Sequence, residues 1–308
     1  MGLQEENLEF DLKRIQKNLN LSEKSIANCP IPEAELKKIH QNYSSYLAEL
    51  EKIRTEILGI LNEELSSEVH SIRCRIKKPD HLIGKIIRNV YRNPKKYEGI
   101  SAENYFKTIT DLIGVRIIIL DKRDWKSVHR DLMKIFGNFP ERYVRRAEDI
   151  VTNYDRYAAE VGSQSTGRLC GYHAERPVAY ITSEDDREIY QDDYLKVDNS
   201  KSHYRSVHYI IRYKIVYFEI QVRTLFEEGW LEFDHRMKYP NDQNNKKKQE
   251  YIGVLSSLAI AADRLISFYH EEDFTEAREV PAETEQEDTE NRRTEQGPGL
   301  EEKMRILF

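Results

Sequence analysis

Cysteine is scarce. The 308-residue chain has three, Cys29, Cys74 and Cys170. They are odd in number and far apart, which excludes a disulfide framework and a thiolate zinc centre and leaves them as reduced thiols. Long apolar runs are also lacking, since no segment approaches the roughly 18 consecutive apolar residues of a membrane span. The opening MGLQEENLEFDLKR has no apolar h-region, so a cytoplasmic chain is expected. There is no internal repeat, and no HDxxED run of the kind that marks a metal-dependent phosphohydrolase.

A strong surplus of positive charge is absent as well. The net charge is −6, but from Glu271 to Phe308 the chain carries 13 acidic and 5 basic residues, which leaves residues 1–270 at about +2. Such a body suits an anionic ligand of nucleotide size. It falls short of the basic surface that a binder of long duplex nucleic acid requires.

What is present is an ordinary globular core, with 39% hydrophobic residues, and a readable order of elements. Residues 33–66 place Leu36, Ile39, Tyr43, Leu47, Leu50, Ile53, Ile57, Ile60 and Leu61 at steps of three and four, which predicts one long amphipathic helix within an N-terminal helical segment, 1–64. Its spacing allows either docking on the body or an intermolecular coiled coil that would make a homo-oligomer, and docking is favoured. A basic strand-like piece follows from about residue 68, then a helix over 79–90 opened by Pro79 and Asp80, a helical stretch at 103–110, a strand at 112–120 and a helix at 124–137.

The stretch 141–193 reads as an insertion-like region with a short strand at PVAYIT and a flexible GSQSTG at 162–167. Strands at 204–212 and 215–224 meet in a tight turn near Tyr213 and Lys214 and lead into a helix ending near Tyr239. NDQNNKKKQE reads as a solvated linker. Within a C-terminal segment 241–271, a helix over 249–270 turns Ile252, Leu255, Leu258, Ala259, Ala262 and Leu265 to one face. Residues 272–308 have the composition of a disordered acidic tail. The fold class expected is α/β (α+β), a mixed, largely antiparallel central sheet flanked by helices.

Two acidic positions stand out. In DLIGVRIIIL, Asp111 stands at the entrance of a near-continuous apolar strand holding Gly114 and Arg116; in EIQVRT, Glu219, Gln221 and Arg223 share the polar face of an alternating strand. Carboxylates on two strand ends suggest a Mg²⁺ site formed by Asp111 and Glu219. Taken singly, Asp111 reads rather as a helix–strand junction cap, and Glu219 as an ion-pair partner of Arg223 or Arg116; the joint pattern favours the site.

Four motifs in order, RIKKPDHLIGK, DLIGVRI, SHYRSVHY and EIQVRT with WLEFDH, resemble the synthetase (nucleotidyltransferase) domain of the RelA/SpoT family over about residues 65–240. The resemblance implies a GTP pyrophosphokinase that moves the terminal pyrophosphate of ATP to the 3′-hydroxyl of GDP or GTP, with Mg²⁺ as cofactor, in the manner of a small alarmone synthetase. Other acceptors, a tRNA 3′ end or an adenosine nucleotide, and a non-catalytic nucleotide-binding regulator remain open. It assigns Arg75, Lys77, Lys85 and Arg116 to ATP, and Tyr204, Ser206, His208, Arg223 and His235 to the acceptor. Asp111 and Glu219 would serve the metal and the chemistry, with Gln221 beside Glu219. Trp230 reads as core. The chain departs from the family where His203 stands in place of the glycine before the stacking tyrosine, and where the preceding loop is longer and lacks its usual proline.

Overall fold

The computed structural model describes residues 9–65, 68–138, 171–200, 203–214, 216–238 and 246–271. These belong to a unit spanning Met1–Glu271. The GSQSTG segment and the acidic tail lie outside the described residues.

Four helices open the chain: α1 (Leu12–Asn18), α2 (Glu23–Ala27), α3 (Glu33–Ser45) and α4 (Leu47–Glu64). The single helix expected over 33–66 is therefore two. The break has a local cause. Ser44 and Ser45 turn their hydroxyls back onto the carbonyls of His40 and Asn42 at 2.7 Å, and Tyr46 closes α3 with its N–H on Tyr43 O. Serines that bond back to the helix backbone bend it. Leu36, Ile39, Tyr43, Leu50, Ile53, Ile57 and Leu61 are all buried in the main core, so these helices dock on the body.

Next come β1 (Val69–Ile76), α5 (Pro79–Arg92), a 3₁₀ turn at Pro94–Tyr97, α6 (Tyr105–Thr108) and β2 (Ile113–Ile119). α5 starts with Pro79 in its first turn, where a missing N–H costs nothing. Asp80 in that turn takes Arg14 of α1 at 3.2 Å and His40 of α3 at 3.1 Å. Gly84 admits α1, because a Cβ there would lie 2.4 Å from Leu19 Cδ1. The N-terminal helices thus brace the helix that carries Lys85.

Then follow α7 (Trp125–Ile135), the short strands β3 (Gly137–Asn138), β4 (Gly171–His173), β5 (Val178–Ile181) and β6 (Lys196–Asn199), and the long pair β7 (Ser206–Tyr213) and β8 (Val216–Thr224). Two helices close the unit, α8 (Leu225–Lys238) and α9 (Lys246–Glu271). The sheet is eight-stranded and mixed, in the order β1-β2-β8-β7-β4-β3, with β5 on β7 and β6 on β5. β2 runs parallel to β8, while β1/β2, β7/β8, β4/β7 and β5/β7 are antiparallel. The turn expected at Lys214 is there, with φ +51.

One face of the sheet is core. Ile113, Val115 and Ile117 are fully buried, as are Phe218, Ile220 and Tyr209, with Trp125 Nε1 donating to Tyr209 Oη at 3.0 Å. The other face is polar near Gly114, Arg116, Glu219 and Gln221. β2, expected to be buried throughout, is thus buried on both faces only toward its end.

α9 differs from expectation. It begins at Lys246, so the KKKQE run is helical rather than linker. Leu258 and Leu265 are more than 60% exposed, whereas Ser256, Ala259, Ile260 and Asp263 turn inward. The cause is a buried charge cluster. Arg205, the residue before β7, reaches Asp263 at 3.1 Å and Glu227 at 3.6 Å, and Lys122 pairs with Asp185 and with Glu227 at 3.2 Å. Burial and the neighbouring Glu227 push Asp263 up to about 6. By length and composition α9 is apolar enough to cross a membrane over Lys246–Tyr269, with mean hydropathy 1.4, yet Asp263 ties it to Arg205 just before β7.

His173 on β4 is fully buried, its Nε2–H donating to Leu132 O at 3.3 Å, and burial lowers its pKa to about 4. The folded state therefore resists a proton that the unfolded chain takes up below about 6.5, so stability is full above that pH and lost as pH falls toward 4. In urea titrations, the stability of wild type relative to His173→Leu should drop by about 3 kcal/mol between pH 7 and pH 4. A gap that stays constant with pH would contradict this assignment.

Candidate active site

Register builds the site. In one row across the polar face, Arg75 on β1 pairs with Gly114 on β2, and Gly114 with Glu219 on β8. In the next row Arg73 pairs with Arg116, Arg116 with Gln221, and Gln221 with His208 on β7. Paired residues point to the same face, so six functional side chains and one glycine share a surface. These rows floor a cleft of about 250 Å³ lined by Arg73, Arg75, Lys77 and Arg116 against the two carboxylates Asp111 and Glu219. Gly114 keeps the middle open: a Cβ there would touch nothing closer than Arg75 Cγ at 3.9 Å, so a longer side chain would rise into the cleft.

Asp111 stands at the mouth of β2. Lys77 Nζ lies 3.0 Å from its Oδ2 and Lys85 Nζ 2.7 Å from its Oδ1. Burial works to raise its pKa, but the charges of Lys85 and Lys77 prevail and hold it below the usual carboxylate range. Burial lowers Lys77, opposed by Asp111 and aided by the cations Lys85 and Arg75. His81, four residues before Lys85 on α5, is lowered by burial and then by Lys77, Lys78, Arg75 and Arg88. This corner is cationic and crowded, as an anion site is.

Glu219 faces it across the cleft. Its Oε1 is 2.8 Å from His208 Nδ1 and its Oε2 accepts from Gln221 Nε2 at 3.0 Å. Burial works to raise its pKa, but the His208 hydrogen bond and charge outweigh it and leave it lowered, despite Asp111 nearby. His208 Nε2 in turn meets Tyr204 Oη at 2.7 Å, and Tyr204 Oη accepts from Arg223 Nη2 at 2.6 Å. A continuous hydrogen-bonded path thus runs from Arg223 through Tyr204 and His208 to Glu219.

Arg223 is the hub of that path. It is buried, donates to Gln221 Oε1 and to Glu228 Oε2 at 2.9 Å, and lies over the Tyr204 ring at 5.2 Å. Arg116 shares Glu228 at 2.6 Å and reaches Glu232 at 2.9 Å. The two glutamates are delivered by α8, whose start is fixed by a capping box. Glu227 N–H donates to Thr224 Oγ1 at 3.1 Å, and Thr224 N–H donates to Glu227 Oε2 at 3.0 Å.

Of the twelve residues singled out in the sequence, Arg75, Lys77, Lys85, Asp111, Arg116, Glu219, Gln221 and His208 come together around the cleft. Tyr204 and Arg223 stand behind His208 rather than in the opening, with Tyr204 packed on Trp230 and Leu231, and Trp230 is core as expected. Ser206 is buried, its hydroxyl near Val222 O at 3.4 Å, and His235 is exposed on α8. His203, in the place of a glycine, takes φ +57, the left-handed backbone that favours glycine.

Sequence reasoning missed Arg73, His81, Tyr180, Glu228 and Glu232. The first two were legible from period, Arg73 two before Arg75 on a strand and His81 four before Lys85 on a helix. Tyr180 on β5 was not, because its place depends on β5 pairing with β7. Its ring is 4.9 Å from His208 and 6.0 Å from Tyr204.

The donor set suits a hard cation such as Mg²⁺. Among the described residues no three His, Cys, Asp or Glu gather as a protein-only metal cage. Asp111 and Glu219 flank one cleft, however, and against the effect of burial both carboxylates are held below the usual carboxylate range there, Asp111 by Lys85 and Lys77 and Glu219 by His208. Mg²⁺ bound largely by phosphates and water requires only one or two protein carboxylates, so the residues fit, provided that Lys77 and Lys85 turn from Asp111 to the phosphates.

Against known proteins, residues 172–244 match the family described as "Region found in RelA / SpoT proteins". No curated protein matches. Among solved structures, the small alarmone synthetase 1 from Bacillus subtilis is 19% identical, with 73% of this chain and 92% of that chain covered and a TM-score of 0.45. The same protein bound to its product pppGpp is 18% identical over 74% and 93%, at 0.42. A GTP pyrophosphokinase family protein from Streptococcus pneumoniae is 16% identical over 77% and 93%, at 0.40. At these identities and scores the likenesses assign no residue a role.

Removing one partner of a buried ion pair strands the other charge. Glu228→Ala should destabilise the fold by about 3 kcal/mol, since it abandons Arg223. Glu232→Ala, whose side chain is 48% exposed, should cost less than about 1 kcal/mol. Equal losses in thermal or urea unfolding would refute the hub role of Arg223.

Proposed function

We propose that this chain, which carries a RelA/SpoT-family region, is an ATP-dependent pyrophosphokinase that transfers the β,γ-pyrophosphoryl group of ATP to the 3′-hydroxyl of GDP or GTP. The observation that carries the reading is the Arg75–Gly114–Glu219 row flanked by Lys77, Lys85 and Asp111. It is a cationic cleft with an open floor and one ionised carboxylate facing a second across it.

Transfer of an anionic group between oxygens asks for alignment and charge neutralisation more than for covalent help. Arg73, Arg75, Lys77 and Lys85 bind and orient the triphosphate. Asp111 and Glu219 would hold a Mg²⁺ bound with ATP, which would supply further neutralisation of the phosphate charge. The acceptor 3′-oxygen forms a bond to the β-phosphorus as the bridging oxygen between the α and β phosphorus atoms leaves with AMP. The hydroxyl proton passes to Glu219. That carboxylate is kept ionised and aimed by His208 and Gln221. Arg223 and Tyr204 fix His208 in turn.

Tyr180 is the ring best placed to stack on the acceptor base, because Arg223 lies over the Tyr204 ring and Tyr204 packs against the Trp230 cluster. The cytoplasm, where ATP and guanosine nucleotides occur together, is the setting this reading implies.

Glu219→Gln keeps the shape and loses the charge, so turnover should fall by at least about 10²-fold while ATP affinity changes far less. Tyr180→Ala should raise the acceptor KM by about 5- to 100-fold, the equivalent of one base stack, and Tyr180→Phe should restore it. Steady-state kinetics with GDP, GTP, AMP and deacylated tRNA as acceptors would check both. Wild-type turnover in Glu219→Gln would overturn the mechanism, and transfer to tRNA or AMP alone would overturn the guanosine acceptor.

A further inference from the structure

On the far side of the Asp111 corner lies a second cavity, of about 340 Å³, unlike the first in every chemical respect. Its walls are the rings of Tyr43, Tyr46, Tyr105 and Phe106, and Glu49 and Glu103 stand among the residues that line it. Leu50 and Ile53 of α4, Leu112 just before β2, Val216 of β8, Ala102 and Asn42 complete the lining, and no lysine, arginine or histidine is part of it. Tyr43 and Tyr105 meet edge to face at 6.1 Å, as do Tyr105 and Phe106 at 5.8 Å. Their hydroxyls are spoken for, Tyr105 donating to Asn42 Oδ1 at 3.0 Å and Tyr43 to Lys77 O at 2.7 Å. Tyr43 and Tyr105 are themselves buried, so the ring surface open to a ligand is that of Tyr46 and Phe106.

An anion has nothing to bind there. A neutral hydrocarbon would leave two carboxylates at its edge unused. A small organic cation uses both, since ring faces and carboxylates each attract an ammonium group and the aliphatic floor takes its alkyl part. The nearby lysines do not forbid this. Lys52 pairs with Glu49 at 3.1 Å on an exposed helix face, an interaction worth little. Glu103 is held below the usual carboxylate range by the Ser101 hydroxyl, then by its own backbone N–H, and by Lys38 at longer range.

We infer that this cavity is a binding site for a small alkylammonium or quaternary ammonium compound, distinct from the nucleotide cleft and coupled to it. The coupling is covalent and short. Tyr43 holds the carbonyl of Lys77, Leu112 O accepts from Lys77 N at 2.9 Å, and Leu112, which lines the cavity, follows Asp111 in the chain. A ligand that shifts Tyr43 or Leu112 moves the Lys77–Asp111 pair.

The test uses three isosteric probes on the full chain, choline, 3,3-dimethylbutan-1-ol and 3,3-dimethylbutanoate, titrated by calorimetry and by NMR of the methyl signals. Choline should bind saturably, at least about fivefold tighter than the alcohol, and the carboxylate should not bind. Tyr46→Ala should weaken choline about two- to fivefold, and the double change Glu49→Gln, Glu103→Gln should bring choline down to the affinity of the alcohol. All these positions are on or near the surface, so the variants should keep wild-type circular dichroism. Equal binding of choline and the alcohol would reduce the site to an apolar void and overturn the inference, as would absence of saturable choline binding. Choline affinity unchanged in the Glu double variant would place any binding elsewhere. Binding is read directly, so the result stands apart from the enzymatic reading above.

Discussion

The parallel pairing of β2 with β8 is the constraint on which the site depends. With Ile113 opposite Phe218, Gly114 falls opposite Glu219 and Arg116 opposite Gln221. Antiparallel β1 then adds Arg75 and Arg73 to the same two rows. A slip of one residue would send all of these into the core and bring Val115 and Ile220 out. The hydrophobic face therefore fixes the polar one, and the burial of Ile113, Val115, Ile117, Phe218 and Ile220 is what aims the chemistry.

Charge is arranged in two layers behind that face. The outer layer, Arg75, Lys77, Lys85, Asp111 and Glu219, lines the opening. The inner layer, Arg223 with Glu228, Gln221, Tyr204 and His208, is largely buried and satisfied by hydrogen bonds. Buried ion pairs contribute little net stability, but they leave few alternative arrangements for their members. Here they set the orientation of His208 and so of Glu219. The cluster of Arg205, Lys122, Glu227, Asp185 and Asp263 does the same for α9.

Much of this was legible in the sequence where a short-range rule applied. Period two exposed Glu219, Gln221 and Arg223 on one face, and an entrance acid before an apolar strand singled out Asp111. Pro79 and Asp80 marked the start of α5 within a residue. Tertiary contacts hid the rest. The inward face of α9 was read in part: Ile252, Leu255 and Ala259 do pack inward, but apolar spacing also favoured Leu258 and Leu265, whereas the ion pair of Asp263 with Arg205 turns them out. The break between α3 and α4 came from two serines whose hydroxyls compete for the backbone, a signal weaker than the unbroken apolar period around it. The sequence placed Arg223 at the acceptor but did not show that it is buried, because an arginine beside an acid looks alike on the surface and in the interior. Only α8 folding over β8 brings Glu228 to it.

The central claim is that the cleft between β1 and β8 moves a pyrophosphoryl group intact. Incubation with ATP labelled at the γ-phosphorus, GDP and Mg²⁺, followed by separation of the nucleotides, tests it most directly. The account predicts a labelled guanosine nucleotide carrying two added phosphates, formed in equal amount with AMP. Release of ADP with labelled orthophosphate, or recovery of ATP unchanged, would contradict it.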